Sequence, residues 1–223
     1  GAVNAVAFDI SAACAGFIFA MNIVEGFFKA GIYKTALIIG AETLSKVTDW
    51  SDRGTCVLFG DGAGAAVLKA EETGIIDMMM GADGTKGDVL ACTSRTVGNF
   101  LTGTKPELGF MTMDGQEVFK FAVRKVPESV MELLQRTGTK KEDIKYYVLH
   151  QANERIIEAA ARRLKEPMEK FPMTISQFGN TSTASIPLLL DDMIRKDMLK
   201  RGDKIIMSGF GAGMTWGAVL MEW

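Results

Sequence analysis

A layered α/β fold built from an internal duplication is the fold class this sequence predicts, and three observations predict it. Residues 5–9, 16–30 and 35–41 read as strand, helix and strand. Both strands are continuously apolar, which argues for a sheet covered on both faces. The end of the chain echoes its beginning. Ala36-Leu37-Ile38-Ile39-Gly40 resembles Ile205-Ile206-Met207-Ser208-Gly209, and the run from Gly60 to Leu68 resembles the run from Gly209 to Leu220. The order of elements also repeats: a strand, a turn of small or polar residues, a long helix, a strand, a glycine turn and a strand. In the first copy the turn carries Cys14, and in the second it carries Asn180.

Each element has a local reason. The 16–30 helix is apolar nearly all round (Phe17, Ile18, Phe19, Met21, Ile23, Val24, Phe27, Phe28), so it is expected to be buried, with Gly31 as its stop. Apolar runs at 55–59 and 63–69 flank the tight turn Gly60-Asp61-Gly62. Residues 74–81 form another strand, and 83–109, rich in Gly, Thr, Lys and Asn, read as a long surface excursion. Asp114 and Glu117 make a capping box that opens a helix to about residue 137, which Pro127 should kink or divide. Thr139 with Glu142 repeats the capping pattern, and a strand at 146–149 ends at His150. Ile156, Ile157, Ala160, Ala161 and Leu164 mark an amphipathic helix. A short strand is expected at 173–176, a helix from the Gly179-Asn180-Thr181-Ser182 turn to about 200, and the last strands at 204–208 and 215–221.

The length gains meaning from the repeat. The 223 residues are about one and a half times a typical domain. Residues 74–223 make a complete second half, and residues 1–73 make only the back part of a first. Roughly 77 residues of the first half are therefore expected in front of Gly1, as if the chain were part of a longer enzyme.

Composition removes several function classes. A net charge of −2 gives no overall basic field for nucleic acid. No apolar run reaches the ~18 residues of a membrane helix, and no basic n-region of a signal peptide opens the chain. Three cysteines, an odd and low count, point to free thiols and a reducing cytoplasm. One histidine and scattered cysteines do not build a standard zinc site, so no metal is expected. The 60–64 glycine turn lacks the Lys-Ser/Thr of a phosphate loop and the setting of a dinucleotide fingerprint.

Three residues carry the candidate chemistry. Cys14 lies between a strand and a helix N-terminus, where unpaired amides and the helix dipole favour a thiolate. His150 ends a strand at the carboxyl side, where α/β sites gather. Asn180 sits in a helix-opening turn, where it also fits as a cap. Cys56 and Cys92 read as structural. A Cys, His and Asn set points to acyl chemistry at a thiol. The same order fits a papain-like protease, but Ser11-Ala12-Ala13-Cys14-Ala15-Gly16 is not that family's signature.

Phe8-Asp9-Ile10-Ser11-Ala12-Ala13-Cys14-Ala15-Gly16-Phe17, His150-Gln151-Ala152-Asn153, Gly179-Asn180-Thr181-Ser182 and the 209–217 glycine turn together resemble β-ketoacyl-acyl carrier protein synthase III. Asp52-Arg53-Gly54-Thr55 and the 59–68 run match as well. The resemblance implies a thiolase-like fold of duplicated α/β/α/β/α layers, with the first half incomplete. It implies a condensing enzyme of type II fatty acid synthesis, usually a homodimer. Cys14 would take an acyl group, acetyl by preference, from acyl-CoA. His150 and Asn180 would then assist condensation with malonyl-acyl carrier protein. Backbone amides of Cys14 and Ala212 would form the oxyanion hole, and Arg53 and Asn153 would line the coenzyme A and pantetheine tunnel. Lys120, Arg124, Arg155, Arg162 and Arg163 would dock the acidic carrier protein. No cofactor is implied. Two further readings share the residues: a starter-loading relative in secondary metabolism, and an inactive fragment that serves assembly through an exposed sheet edge.

Overall fold

The computed structural model describes residues 1–93, 98–106 and 109–223. Three sheets form. The largest is four-stranded, in the order β3-β8-β7-β6, from Ile75–Ala82, Thr215–Glu222, Lys204–Gly211 and Ile144–Leu149. β7 pairs antiparallel with β8 and parallel with β6. The second sheet is the antiparallel pair β1 (Thr35–Glu42) and β2 (Gly62–Lys69). A small pair, β4 (Leu90–Cys92) and β5 (Met111–Met113), lies beside the start of α2.

Helices layer these sheets. α1 (Gly16–Lys29) packs on β1, β3, β7 and β8, and α5 (Ser185–Arg195) packs on β2 and β6. Both therefore lie between the two larger sheets. α2 (Gly115–Thr137) and α3 (Glu154–Leu164) pack on each other, and α2 covers the far face of the four-stranded sheet. The fourth short helix, α4 (Ile175–Phe178), leads to the Asn180 turn. The order is thus α2/α3, large sheet, α1/α5, small sheet. Two apolar clusters fill it. One joins Phe121, Val130, Leu133, Ile157 and Leu164 to Tyr147 and Phe210. The other joins Phe17, Ile18, Leu189 and Met193 to Val148, Ile205 and Val219. Each such side chain contributes about 1.5–3 kcal/mol on burial.

The duplicated pieces share backbone geometry as well as order. Each copy enters its helix through a three-residue 3-10 turn, Ala13–Ala15 before α1 and Ser182–Ala184 before α5. Each turn begins on a non-glycine residue with positive φ, Ala13 at 44° and Ser182 at 50°. The position equivalent to Cys14 is therefore Thr183. Asn180 lies three residues earlier in its turn than Cys14 does.

Several expectations fail for local reasons. Residues 5–9 form no strand, because no neighbouring strand pairs with them, and Val6 and Phe8 are exposed. α1 is buried only along Gly16, Phe17, Ile18 and Met21, so its second half is not the enclosed helix its composition suggests. β1 and β2 alternate between covered and exposed residues instead of being buried on both faces. Residues 173–176 give the start of α4 in place of a strand. The 83–109 excursion contains a 3-10 segment, Gly84–Val89, and β4, while 94–97 and 107–108 lie outside the described residues. The cap after Thr139 is made one residue later, where the Lys140 amide donates to Asp143. α5 ends at Arg195, short of 200, with Asp197 at φ 54° just beyond.

Pro127 does not divide α2. The helix runs unbroken through it. A proline lacks the amide that would bond the carbonyl four residues back, here Val123. Arg163 on α3 donates its Nη1 to that carbonyl at 2.7 Å. The vacant acceptor is thus satisfied from the neighbouring helix, which also ties α2 to α3. At the N-terminus Asp114 caps as expected, accepting from the Gln116 and Glu117 amides. Glu117 does not complete the box; its carboxylate binds Lys86 and Lys120 instead.

Candidate active site

One cavity of about 100 Å³ collects the three candidate residues, Cys14, His150 and Asn180. Its wall includes Phe210 and Gly211 from β7, and Leu58 and Phe59 from the turns before β2. Gly115 and Phe119 from α2 and Asn153 and Ile156 at the start of α3 extend it outward.

Cys14 is held by residues of the other copy. Thr183 Oγ1 donates to the Ala13 carbonyl at 2.7 Å, and the Thr215 hydroxyl shares its proton between the Ala212 carbonyl at 2.9 Å and the Ala12 carbonyl at 3.2 Å. Gly211 lets the turn approach: a Cβ there would stand 2.6 Å from the Cys14 amide nitrogen. The thiol is buried, and burial pushes it up to about 11, with the Glu42 carboxylate also raising it and the Ser182 hydroxyl and its own amide lowering it. The expected thiolate is therefore overturned. Near neutral pH the resting group is a thiol, because loss of solvation outweighs the donors around it.

His150 leaves β6 with its amide bonded to the Ser208 carbonyl at 2.8 Å. Its ring meets Phe210 edge to face, with centroids 5.4 Å apart. Nδ1 lies 2.6 Å from Ser185 Oγ. Burial pushes the imidazole down to about 3, so it is neutral. Gln151 staples the same corner, donating to the Leu149 carbonyl and accepting from the Thr174 amide.

Asn180 is not the helix cap expected of it, since Thr181 stands at that position before Ser182–Ala184 and Ala184 before α5, neither with a side-chain cap. Its backbone bonds to both sides of Phe59, donating to the Leu58 carbonyl and accepting from the Gly60 amide. Its Oδ1 accepts from the Ser182 amide at 2.9 Å, which leaves the side-chain NH2 as a donor. Asn153 lines the cavity and caps α3 through the Arg155 amide. Ala212 lies in the turn between β7 and β8, next to Gly211, which packs against the Cys14 amide. Arg53 is exposed on the turns that lead to Leu58 and is not part of the cavity wall.

The basic residues divide. Arg124 and Arg155 are exposed and form no ion pair among the described residues. Lys120 is paired with Glu117 at 2.8 Å, and Arg162 with Glu158 at 3.7 Å. Arg163 gives one guanidinium N–H to the Val123 carbonyl and is otherwise exposed. Among the described residues no three His, Cys, Asp or Glu side chains gather as a metal-binding group, and no helix is long and apolar enough to cross a membrane. Ser185, Ser182, Thr183 and Gln151 were not singled out from the sequence. The repeat itself was the available signal, since it sets Thr183 opposite Cys14.

The fold and its relatives define a thiolase-like condensing enzyme of the acyltransferase type. The family description "3-Oxoacyl-[acyl-carrier-protein (ACP)] synthase III" matches residues 8–84, and its C-terminal counterpart matches residues 134–223. The chain is 51% identical over 225 residues to β-ketoacyl-[acyl-carrier-protein] synthase III of Clostridium acetobutylicum, covering 100% of this chain and 69% of that protein. Crystal structures of 3-oxoacyl-[acyl-carrier-protein] synthase III from Aquifex aeolicus and Pseudomonas aeruginosa superpose with TM-scores of 0.90 and 0.89, at 45% and 40% identity. They match 100% and 99% of this chain, and 68% of each of those chains is covered. The priming β-ketosynthase of the R1128 polyketide pathway matches 99% of this chain at 36% identity and a TM-score of 0.89, with 66% of that chain covered. The chain belongs to the β-ketoacyl-acyl carrier protein synthase III family, the condensing enzymes of type II fatty acid synthesis.

Proposed function

We propose that this chain takes an acyl group, acetyl foremost, from acyl-CoA onto Cys14 and condenses it with malonyl-acyl carrier protein. The observation that carries the reading is the single cavity shared by Cys14, His150 and Asn180. In the first step the Cys14 sulfur adds to the thioester carbonyl. The Cys14 and Ala212 amides donate to the developing oxyanion, where fixed donors act most strongly. The carbon–sulfur bond to coenzyme A breaks, and the thiol proton ends on the departing sulfur. In the second step malonyl-acyl carrier protein loses CO2, and the electron pair of that bond becomes an enolate. The His150 imidazole and the Asn180 amide donate to the enolate oxygen. A neutral imidazole suits this role, because it donates without protonating the carbanion. The carbanion attacks the acyl-Cys14 carbonyl, the carbon–sulfur bond breaks, and the Cys14 thiolate is released with 3-oxoacyl-acyl carrier protein. The reaction as proposed draws on no cofactor.

Asn153, at the outer end of the cavity, is assigned to the pantetheine arm, and Arg53 to the coenzyme A beyond it. Lys120, Arg124, Arg155 and Arg162 are the proposed contacts for an acidic carrier protein. The same reading includes a cytoplasmic setting, consistent with three free cysteines, and a homodimer, which sedimentation would read as twice the 24.2 kDa chain mass.

The test is incubation with acetyl-CoA followed by mass spectrometry. The expected result is one acetyl group on Cys14 and none on Cys56 or Cys92. Absence of acetyl-Cys14, or condensation that survives Cys14→Ala, overturns the reading. A starter-loading role is favoured specifically by the similarity to the R1128 priming ketosynthase. Competition between acetyl-CoA and longer acyl-CoAs separates the two, and preferential loading of the longer chain supports the second. Acetylation of Cys14 also excludes a role confined to assembly.

A further inference from the structure

We propose that Ser185 is a positioning residue that sets the tautomer of His150, placing the ring proton on Nε2. This rests on the proposed decarboxylation and names the group that prepares its donor. The geometry lies in a buried triangle of three residues. Ser185 Oγ is 2.6 Å from His150 Nδ1, and the Gln151 backbone amide donates to the same oxygen at 3.3 Å. His150, Ser185 and Gln151 are each at most 2% exposed, so water does not substitute for a missing partner.

Hydrogen-bond accounting then fixes the direction. A hydroxyl has one proton to donate and two lone pairs. The Gln151 amide only donates, so it occupies a lone pair. If Nδ1 also carried a proton, it would donate to the same oxygen, and the hydroxyl proton would have no acceptor among the described residues. An unpaired buried donor is costly, and native interiors rarely contain one. The satisfied arrangement has the Ser185 hydroxyl donating to an unprotonated Nδ1. The neutral ring then keeps its proton on Nε2, the nitrogen that Ser185 does not bind.

The chain segment explains why this residue is suited to the task. Ser185 opens α5, five residues after Asn180. The Ser182 amide already binds Asn180 Oδ1, so Asn180 presents its NH2 group. One short stretch, 180–185, thereby engages the acceptor ends of both Asn180 and His150 and leaves their N–H groups as the donors. Without Ser185, the ring would be free to take the other tautomer, which presents a lone pair to an oxygen that needs a proton donor.

The single histidine makes the test direct. The full chain labelled with ¹⁵N-histidine gives one imidazole, and two-bond ¹⁵N–¹H correlations report which nitrogen is protonated. The expected wild-type pattern is the neutral Nε2–H form. Ser185→Ala should move the pattern toward Nδ1–H or a mixture, and Ser185→Thr, which keeps the hydroxyl, should restore it. In the same variants, malonyl-acyl carrier protein decarboxylation should fall about 10- to 100-fold more in Ser185→Ala than acylation of Cys14 does, the range known for metal-bound imidazoles that lose the partner orienting them. A wild-type ring protonated on Nδ1 overturns the proposal, as does a Ser185→Ala ring with unchanged signals. If the tautomer shifts as expected while the wild-type chain decarboxylates no malonyl carrier, the proposed function fails and the tautomer assignment stands. If Ser185→Ala does not fold, the wild-type spectrum and the Ser185→Thr variant still decide the assignment.

Discussion

The two copies of the repeat end in strand pairs of the same length and direction, and they live in different surroundings. β1 and β2 pair over eight residues, from Thr35 opposite Lys69 to Glu42 opposite Gly62. β7 and β8 likewise pair from Lys204 opposite Glu222 to Gly211 opposite Thr215. Helices cover β7 on both sides, and every residue after Lys204 is buried. Among the described residues β1 and β2 have helices on one side only, and the outward Leu37, Ile39 and Val67 are 59%, 61% and 73% exposed. Similar apolar runs therefore end in opposite burial states, because cover comes from the rest of the fold and not from the strand. The site follows the same asymmetry. Cys14 belongs to the thinly covered copy, yet the groups that fix its turn, Thr183, Gly211 and Thr215, belong to the other.

The sharpest way to separate the copies is pH, since each buries one titratable site residue. His150 sits near 3 when folded, against an ordinary 6.5. Below 6.5 the unfolded chain takes up a proton that the folded chain refuses. Its contribution to stability is thus complete above 6.5 and is lost as pH falls toward 3, on the order of 5 kcal/mol in all. Cys14 sits near 11, against an ordinary 9.0, so its contribution is complete below 9 and is lost as pH rises toward 11, on the order of 3 kcal/mol. Urea unfolding across pH should show His150→Gln flattening the acid limb alone and Cys14→Ala flattening the alkaline limb alone. Loss of both limbs in either variant would mean that the two copies titrate as one unit.

Core truncation is the next largest effect. Leu189 on α5 is fully buried between the sheets, so Leu189→Ala should lower unfolding stability by about 2–5 kcal/mol. Below that comes the clasp of α2 and α3. Arg163→Ala removes an exposed hydrogen bond to the Val123 carbonyl and should cost about 0.5–1.5 kcal/mol. Pro127→Ala restores an amide for that carbonyl, so the double variant should recover much of the loss. Simple additivity in the double-mutant cycle would deny the link between Pro127 and Arg163.

The sequence made the second copy more legible than the first. The periodicity of α3 and the cap at Asp114 depend on neighbours within one turn, and both appear as expected. The predicted strand at 5–9 depends on a pairing partner, and composition alone did not supply one. Cys14, His150 and Asn180 were legible because each sits at an element end, where local pattern is strongest. Their electrostatics were not. A helix N-terminus suggested a thiolate, but the thiol's burial is set by β7, some two hundred residues away in the chain. Ser185 was hidden for the same reason, since its partner His150 lies 35 residues earlier. Pro127 was read correctly for what it removes, but the division of the helix did not follow, because the compensating Arg163 comes from another helix.

The smallest expected effect bears most directly on the contrast between the sheets. Leu37 points outward from β1, more than half exposed, and lies opposite Val67. A surface substitution away from caps, strain and buried polar groups usually changes stability by no more than about 0.5 kcal/mol. Leu37→Ala should therefore leave the urea midpoint close to wild type, in contrast to Leu189→Ala on the covered side of the same layer. The result is informative in either direction. A midpoint within that range means the outward face of β1 and β2 carries none of the folding energy, and the four-stranded sheet with α1 and α5 holds the site alone. A loss comparable to that of Leu189→Ala means Leu37 is covered in solution, and measuring it again over a range of protein concentrations distinguishes cover by a second molecule from cover within the chain, because only the former weakens on dilution.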